Sequence, residues 1–102
     1  MIYVIATVEI APGKREQFLE EFRRLVPEVL AEQGCLFYGP TVDLASGLPR
    51  QVAPRLNVVT IVESWVNLED LHAHTVAPHM AKYRERVKEL VVSTQLQVLA
   101  PQ

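Results

Sequence analysis

The stretch Glu63–His79, ESWVNLEDLHAHTVAPH, is where an alternating apolar run gives way to helical spacing, and its reading decides the fold on either side. Glu63 and Trp65 lie two apart at the end of that run, so on a strand they face the same side. The only Trp of the chain therefore stands beside a carboxylate. Asn67 has the chemistry of an N-cap, and Glu69 and Asp70 follow in the first turn of a short helix, where acidic groups favour the positive end. That helix carries His72 and His74 towards Pro78 and His79, and these are all the histidines of the chain. Pro78 suits the first position of a longer helix running to about Leu90, with Met80, Tyr83, Val87 and Leu90 as its buried stripe.

Upstream, Leu56–Trp65 alternates as a strand, with Asn57, Val59, Ile61, Glu63 and Trp65 on one face and Leu56, Val58, Thr60, Val62 and Ser64 on the other. Both faces are largely apolar, as expected of a strand covered on two sides. Ile2–Ile10 is β-branched and aromatic and predicts the first strand. Ala11-Pro12-Gly13-Lys14 ends it as a turn. From Arg15 to Gln33, Phe18, Phe22, Leu25, Val26, Val29 and Leu30 recur at helical spacing; Pro27 predicts a kink or break near Val26, and Gly34 suits a left-handed stop. Cys35–Asp43 reads as a second strand, bulged near Gly39-Pro40 or at a sheet edge because proline cannot donate to a ladder. Leu44–Arg55 has no sustained period and is a loop, a candidate lid or a clamp on a partner subunit. Val91–Leu99 alternates as the last strand.

The order β-α-β-β-α-β, with the histidine helix as an insertion, predicts an α+β fold of the ferredoxin-like kind: a four-stranded antiparallel sheet with helices on one face. The bare face is too apolar for water, which predicts burial against a second copy. At 102 residues the chain has room for a single domain, 1–102. A net charge of -2 gives no electrostatic reason to expect nucleic acid or an anionic membrane as partner. No apolar run approaches the ~20 residues of a membrane span. The N-terminus has no signal-peptide pattern, and the lone Cys35 allows no intrachain disulfide, so the expected location is cytoplasmic.

The phrase EQGCLFY after the first helix, then Glu63-x-Trp65, Asn67-Leu68-Glu69-Asp70-Leu71, His74 and Ala77-Pro78-His79 resemble the antibiotic biosynthesis monooxygenase domain family. The likeness extends from Tyr3 to Leu99. It implies a dimeric α+β barrel built from two ferredoxin-like protomers and, for the family's best-known members, cofactor-independent oxidation of quinols or polycyclic phenols by O₂. The family also holds haem-degrading enzymes and an isomerase of phosphorylated signals. Members of the haem branch carry an Asn on the first strand, where Thr7 and Glu9 are the inward candidates here. The isomerase reading wants a cationic pocket, for which Arg50 and Arg55 are the available cations.

Within this resemblance His74 is the candidate acid–base group, since imidazole can take a phenolic proton and return it, and Glu63 is the candidate carboxylate that orients it. Trp65 offers a flat wall for an aromatic substrate, Tyr38 a phenol to bond a quinol oxygen, and Asn57 a donor to a developing oxyanion. Each has a plainer alternative: His74 and Glu63 as a structural pair, Trp65 as core, Tyr38 bonded to backbone, Asn57 in solvent. A metal is not expected. His72 and His74 point about 200° apart on a helix of about 3.6 residues per turn, and no cysteine or further carboxylate completes a shell with His74 and His79. No glycine-rich phosphate loop or dinucleotide fingerprint is present, so no cofactor is expected either. The reading is thus a homodimeric monooxygenase taking a small aromatic substrate and O₂, with a non-catalytic ligand-binding dimer of the same fold as its rival.

Overall fold

The computed structural model describes residues 1–102. Its elements are β1 (Ile2–Ile10), α1 (Arg15–Leu30), β2 (Cys35–Thr41), β3 (Val58–Trp65), α2 (Leu68–Thr75), α3 (Pro78–Val87) and β4 (Val91–Leu99). The strands form one antiparallel sheet in the order β2-β3-β1-β4. This is the ferredoxin-like α+β arrangement expected from the element order. No helix is long and apolar enough to cross a membrane.

Alternation along the strands sorts the sheet into two faces. The pairings Tyr38↔Glu63, Val4↔Glu63 and Val4↔Val98 place those four side chains in one row across all four strands, on the helix side. Ala6, Ile61 and Leu96 form the next row. Against these rows α1 buries Phe18, Leu19, Phe22, Leu25 and Val29. Each such fully buried apolar side chain contributes ~1.5–3 kcal/mol. Phe22 is the hub: its ring stacks on Tyr38 at 5.2 Å and meets Tyr83 of α3 edge-on at 5.7 Å. The helices do not cover β4, where Leu96 is 61% and Val98 50% exposed.

Several boundaries differ from expectation, each for a local reason. Pro27 does not break α1, because it sits in the last turn; Ala31 N–H closes that turn on Pro27 O at 3.2 Å. The helix stops at Leu30 rather than Gln33. β2 ends at Thr41, and its register shift falls between Cys35 and Phe37, not at Gly39-Pro40. Pro40 is tolerated because β2 is an edge strand. β3 begins at Val58, and α3 ends at Val87. Asn67 caps α2 as expected, its Oδ1 accepting from Asp70 N–H at 2.8 Å, and Pro78 opens α3.

Gly34 ties α2 to the sheet. It adopts φ 77°, and its carbonyl accepts from Val66 N–H at 2.8 Å. A Cβ added there would lie 2.0 Å from Asp70 Oδ2 and 2.8 Å from Asp70 Cβ. Gly13 has a similar φ of 79° but open space around it. Gly13→Ala should therefore lose only the cost of left-handed backbone, ~1–2 kcal/mol. Gly34→Ala should lose that and more, because Asp70 must move and carries the start of α2 with it. Urea unfolding of the two variants measures the difference; equal losses would show that the Asp70 contact relaxes freely.

Candidate active site

The uneven cover of the sheet leaves a cavity of about 470 Å³ between α2, α3 and the inner faces of β1 and β4. Its size falls among ordinary small-molecule sites. Val4, Ala6, Val8 and Ile61 form the floor, Phe22, Leu71, Met80 and Tyr83 the walls, and Leu96 and Val98 an apolar side towards β4. Few polar side chains enter it: Tyr38, Glu63, His72, His74, Thr75, Arg84 and Thr94. An aromatic molecule fits such a lining, desolvated on its faces and met by polar groups at one end.

His74 sits at that end. It is the buried residue of α2, 4% exposed, with its ring between two aromatics: Trp65 at 4.8 Å and Tyr38 edge-on at 5.4 Å. Its Nδ1 lies 2.9 Å from Glu32 Oε2, and His79 Nε2 meets the same oxygen at 2.6 Å. A carboxylate only accepts hydrogen bonds, so the proton of a neutral His74 belongs on Nδ1 and its Nε2 carries the lone pair. Nε2 has no hydrogen bond, and Ser64 Oγ is the only fully enclosed side-chain polar atom without a partner. Nε2 therefore keeps contact with the cavity.

Glu63 is turned the other way from expectation. Its Oε1 accepts from Trp65 Nε1 at 2.9 Å, so the carboxylate that touches His74 is Glu32, from the turn after α1. Burial raises the Glu63 pKa above 4.5; the Trp65 hydrogen bond and nearby His74 oppose this, and Glu32 adds to it. Burial, then the charges of Glu63 and other neighbours, pushes the Tyr38 phenol far above its ordinary range. Tyr38 thus remains a hydrogen-bond donor at the cavity. Burial, with Glu32 and Glu63 nearby, pushes the Cys35 thiol up to about 11, against the effect of its bond to Phe37 O.

The structure brings His74, Glu63 and Tyr38 to one cavity and leaves the other two candidates outside it. Trp65 is 0% exposed and does not line the space; it is core, and it holds Glu63. Asn57 precedes β3 at the far end of the sheet, its carbonyl bonded to Ile10 N–H at 2.7 Å, where it faces Thr7, Glu9 and Ser93. The strand was expected to start at Leu56, two residues earlier, and carry Asn57 inward. Thr7 and Glu9 face the bare side of the sheet, and the β1 residues at the cavity are Val4, Ala6 and Val8. No residue of Leu44–Arg55 lines the cavity, which removes the lid expected of that loop. Its base is pinned elsewhere by Arg55, whose Nε and Nη2 meet Asp43 at 2.8 and 3.0 Å. The cation at the cavity is Arg84 instead, tethered to Thr75 O at 2.8 Å. His72 is exposed at the cavity's rim. Glu32 was invisible as a site residue because only the fold carries it to α2; its place in EQGCLFY, in step with the site strand, was the available signal.

A family model described as "Antibiotic biosynthesis monooxygenase" matches residues 1–86. The Escherichia coli (strain K12) protein described as "Probable quinol monooxygenase YgiN" is 38% identical over 104 residues, covering 99% of this chain and 98% of that one. Among solved structures, PA3566 from Pseudomonas aeruginosa superposes with a TM-score of 0.80 at 25% identity, covering 99% of this chain and 93% of its own. A Bacteroides thetaiotaomicron protein described as a possible oxidoreductase gives a TM-score of 0.77 at 28% identity, covering 96% and 94%.

The raised pKa of Glu63 has a stability consequence with a definite sign. Above pH 4.5 the unfolded chain has released the proton that folded Glu63 still holds. With more protons bound in the folded state, stability falls as pH rises through that window. Glu63→Gln keeps a carbonyl oxygen for the Trp65 indole and removes the titration. The variant should gain on the wild type as pH rises from about 4.5 towards about 7 in parallel urea titrations. A constant gap between the two would mean that Glu63 titrates as in the unfolded chain.

Proposed function

The chain belongs to the antibiotic biosynthesis monooxygenase family, and from that premise we propose that it is a cofactor-independent monooxygenase oxidising a quinol or polycyclic phenol with O₂. The observation that carries this reading is His74: its Nδ1 is tied to Glu32, and its Nε2 is left basic at the end of an apolar cavity. Nε2 takes the phenolic proton. The resulting anion sits among apolar walls, hydrogen-bonded by Tyr38 and by Glu63, whose burial favours the protonated, donating form. Desolvation and alignment make the anion a reductant. It gives one electron to O₂, and recombination of the radical with superoxide at a ring carbon that carries hydrogen forms a C–O bond. The proton held by His74 returns to the peroxide. Loss of water across C–H and O–O then leaves a carbonyl, so one oxygen atom ends in the product and the other in water. The protein's part is to bind, orient and move one proton.

The same reading includes a cytoplasmic homodimer. The bare sheet face carries Tyr3, Ile5, Val62 and Phe37 among polar residues, and Tyr3 and Phe37 are exposed. A second copy on this face would bury them, and the exposed Leu44, Leu48 and Val52 of the long loop suit a clamp on the partner.

Two measurements test these statements. Oxygen uptake with a panel of quinols should fall about 10²-fold or more in His74→Ala while the melting temperature stays near wild type. Undiminished turnover would assign the proton transfer to another group. The dimer should appear as a loss of stability on dilution. A monomer in sedimentation at micromolar protein, with melting independent of concentration, would refute it.

A further inference from the structure

His79 and Glu32 stand outside the cavity lining, yet they converge on the one ring that faces it. Three separate elements meet at a single oxygen: Glu32 from the turn after α1, His74 from α2 and His79 from the first turn of α3. The Glu32 side chain is only 14% exposed and that of His79 23%, so the contact is largely shielded from water. The neighbouring Glu63 makes no hydrogen bond to His74; its Oε1 accepts from the Trp65 indole instead. The His74 ring is also packed by Trp65 and Tyr38, which resist a flip that would exchange its two nitrogens.

We propose that Glu32, anchored by His79, is the positioning residue that locks the proton of His74 on Nδ1 and so aims its basic Nε2 into the cavity. His79 acts one step further out. Its Nε2–H donates to the same oxygen and fixes the direction in which Glu32 presents its lone pairs. When Nε2 of His74 takes a proton, the ring becomes an imidazolium with Nδ1–H already against the carboxylate, and no group has to move to meet the new charge. Neither residue touches substrate. The catalytic consequence rests on His74 being the acid–base group; the tautomer does not.

The plainer role for the cluster is a staple joining the α1–β2 turn to α2 and α3, and the test separates the two. In ¹⁵N-histidine spectra of the wild-type protein, recorded at a pH where the ring is neutral and assigned by the loss of signals in His74→Ala, His74 should show a protonated Nδ1 and an unprotonated Nε2. A proton on Nε2 overturns the proposal outright. Glu32→Gln removes the charge and offers an amide that can donate as well as accept, so the tautomers should mix. With a quinol that the wild type oxidises, kcat should fall about 10–10²-fold while KM stays within about twofold, because the cavity lining is untouched. His79→Gln, which keeps an N–H donor, should stay within a few-fold of wild type, and His79→Leu should lose about tenfold in kcat. A staple alone would lower the melting temperature of these variants and leave kcat and the nitrogen pattern of His74 unchanged, which would refute positioning. If Glu32→Gln fails to fold, the wild-type spectrum and the His79 pair still decide. Should the spectra agree while no quinol is oxidised, positioning stands and the assigned reaction fails.

Discussion

Three helices cover a four-stranded sheet unevenly, and the site depends on that constraint. The aromatic hub at Phe22 draws α1 and α3 together over β2 and β3, leaving the inner face of β4 unclad. The space that remains is bounded by α2, whose position is set by the close approach of Gly34 to Asp70. A bulkier first turn there, or a helix seated over β4, would close the cavity. The gap in the cover and the chemistry at its end therefore arise from the same packing decision.

Within that space Tyr38, Glu63 and His74 gather at one end, and each is shielded in its own way. Glu63 is shielded and bonded by an indole; Tyr38 is shielded and lacks a fixed partner; His74 is shielded and bonded by a carboxylate. The result is two groups whose burial favours neutral, donating forms, beside one ring with a free lone pair. A weakly acidic guest finds a base next to donors that stabilise its anion. A shielded acceptor set beside shielded donors is an arrangement suited to proton transfer.

The sheet, the order of elements, the N-cap at Asn67 and the opening of α3 at Pro78 were legible because period, caps and breakers are local signals. So was the inward direction of Glu63 and Trp65, which follows from alternation alone. What the residues at that end bond to was not legible. Glu63 and His74 were paired within the family resemblance, because carboxylates orient histidines, yet Glu32, forty-two residues before His74, supplies the contact. Asn57 was misplaced by the uncertainty of a strand start, which falls at Val58 and not at Leu56. The lid role of Leu44–Arg55 rested on length and composition, which say that a loop is free of the core but not which end of the sheet it leaves from.

Cys35 has a bearing on chemical durability. With its thiol pushed up to about 11, only roughly one molecule in ten thousand carries the thiolate at neutral pH. The thiolate is the form that attacks peroxides. The two carboxylates nearest to the proposed oxygen chemistry, Glu32 and Glu63, are among the groups that hold this sulfur protonated. Burial, helped by the carboxylate of Glu32, thus keeps Cys35 a poor nucleophile towards a peroxide formed in the neighbouring cavity, so that the thiol is spared as a sacrificial reductant.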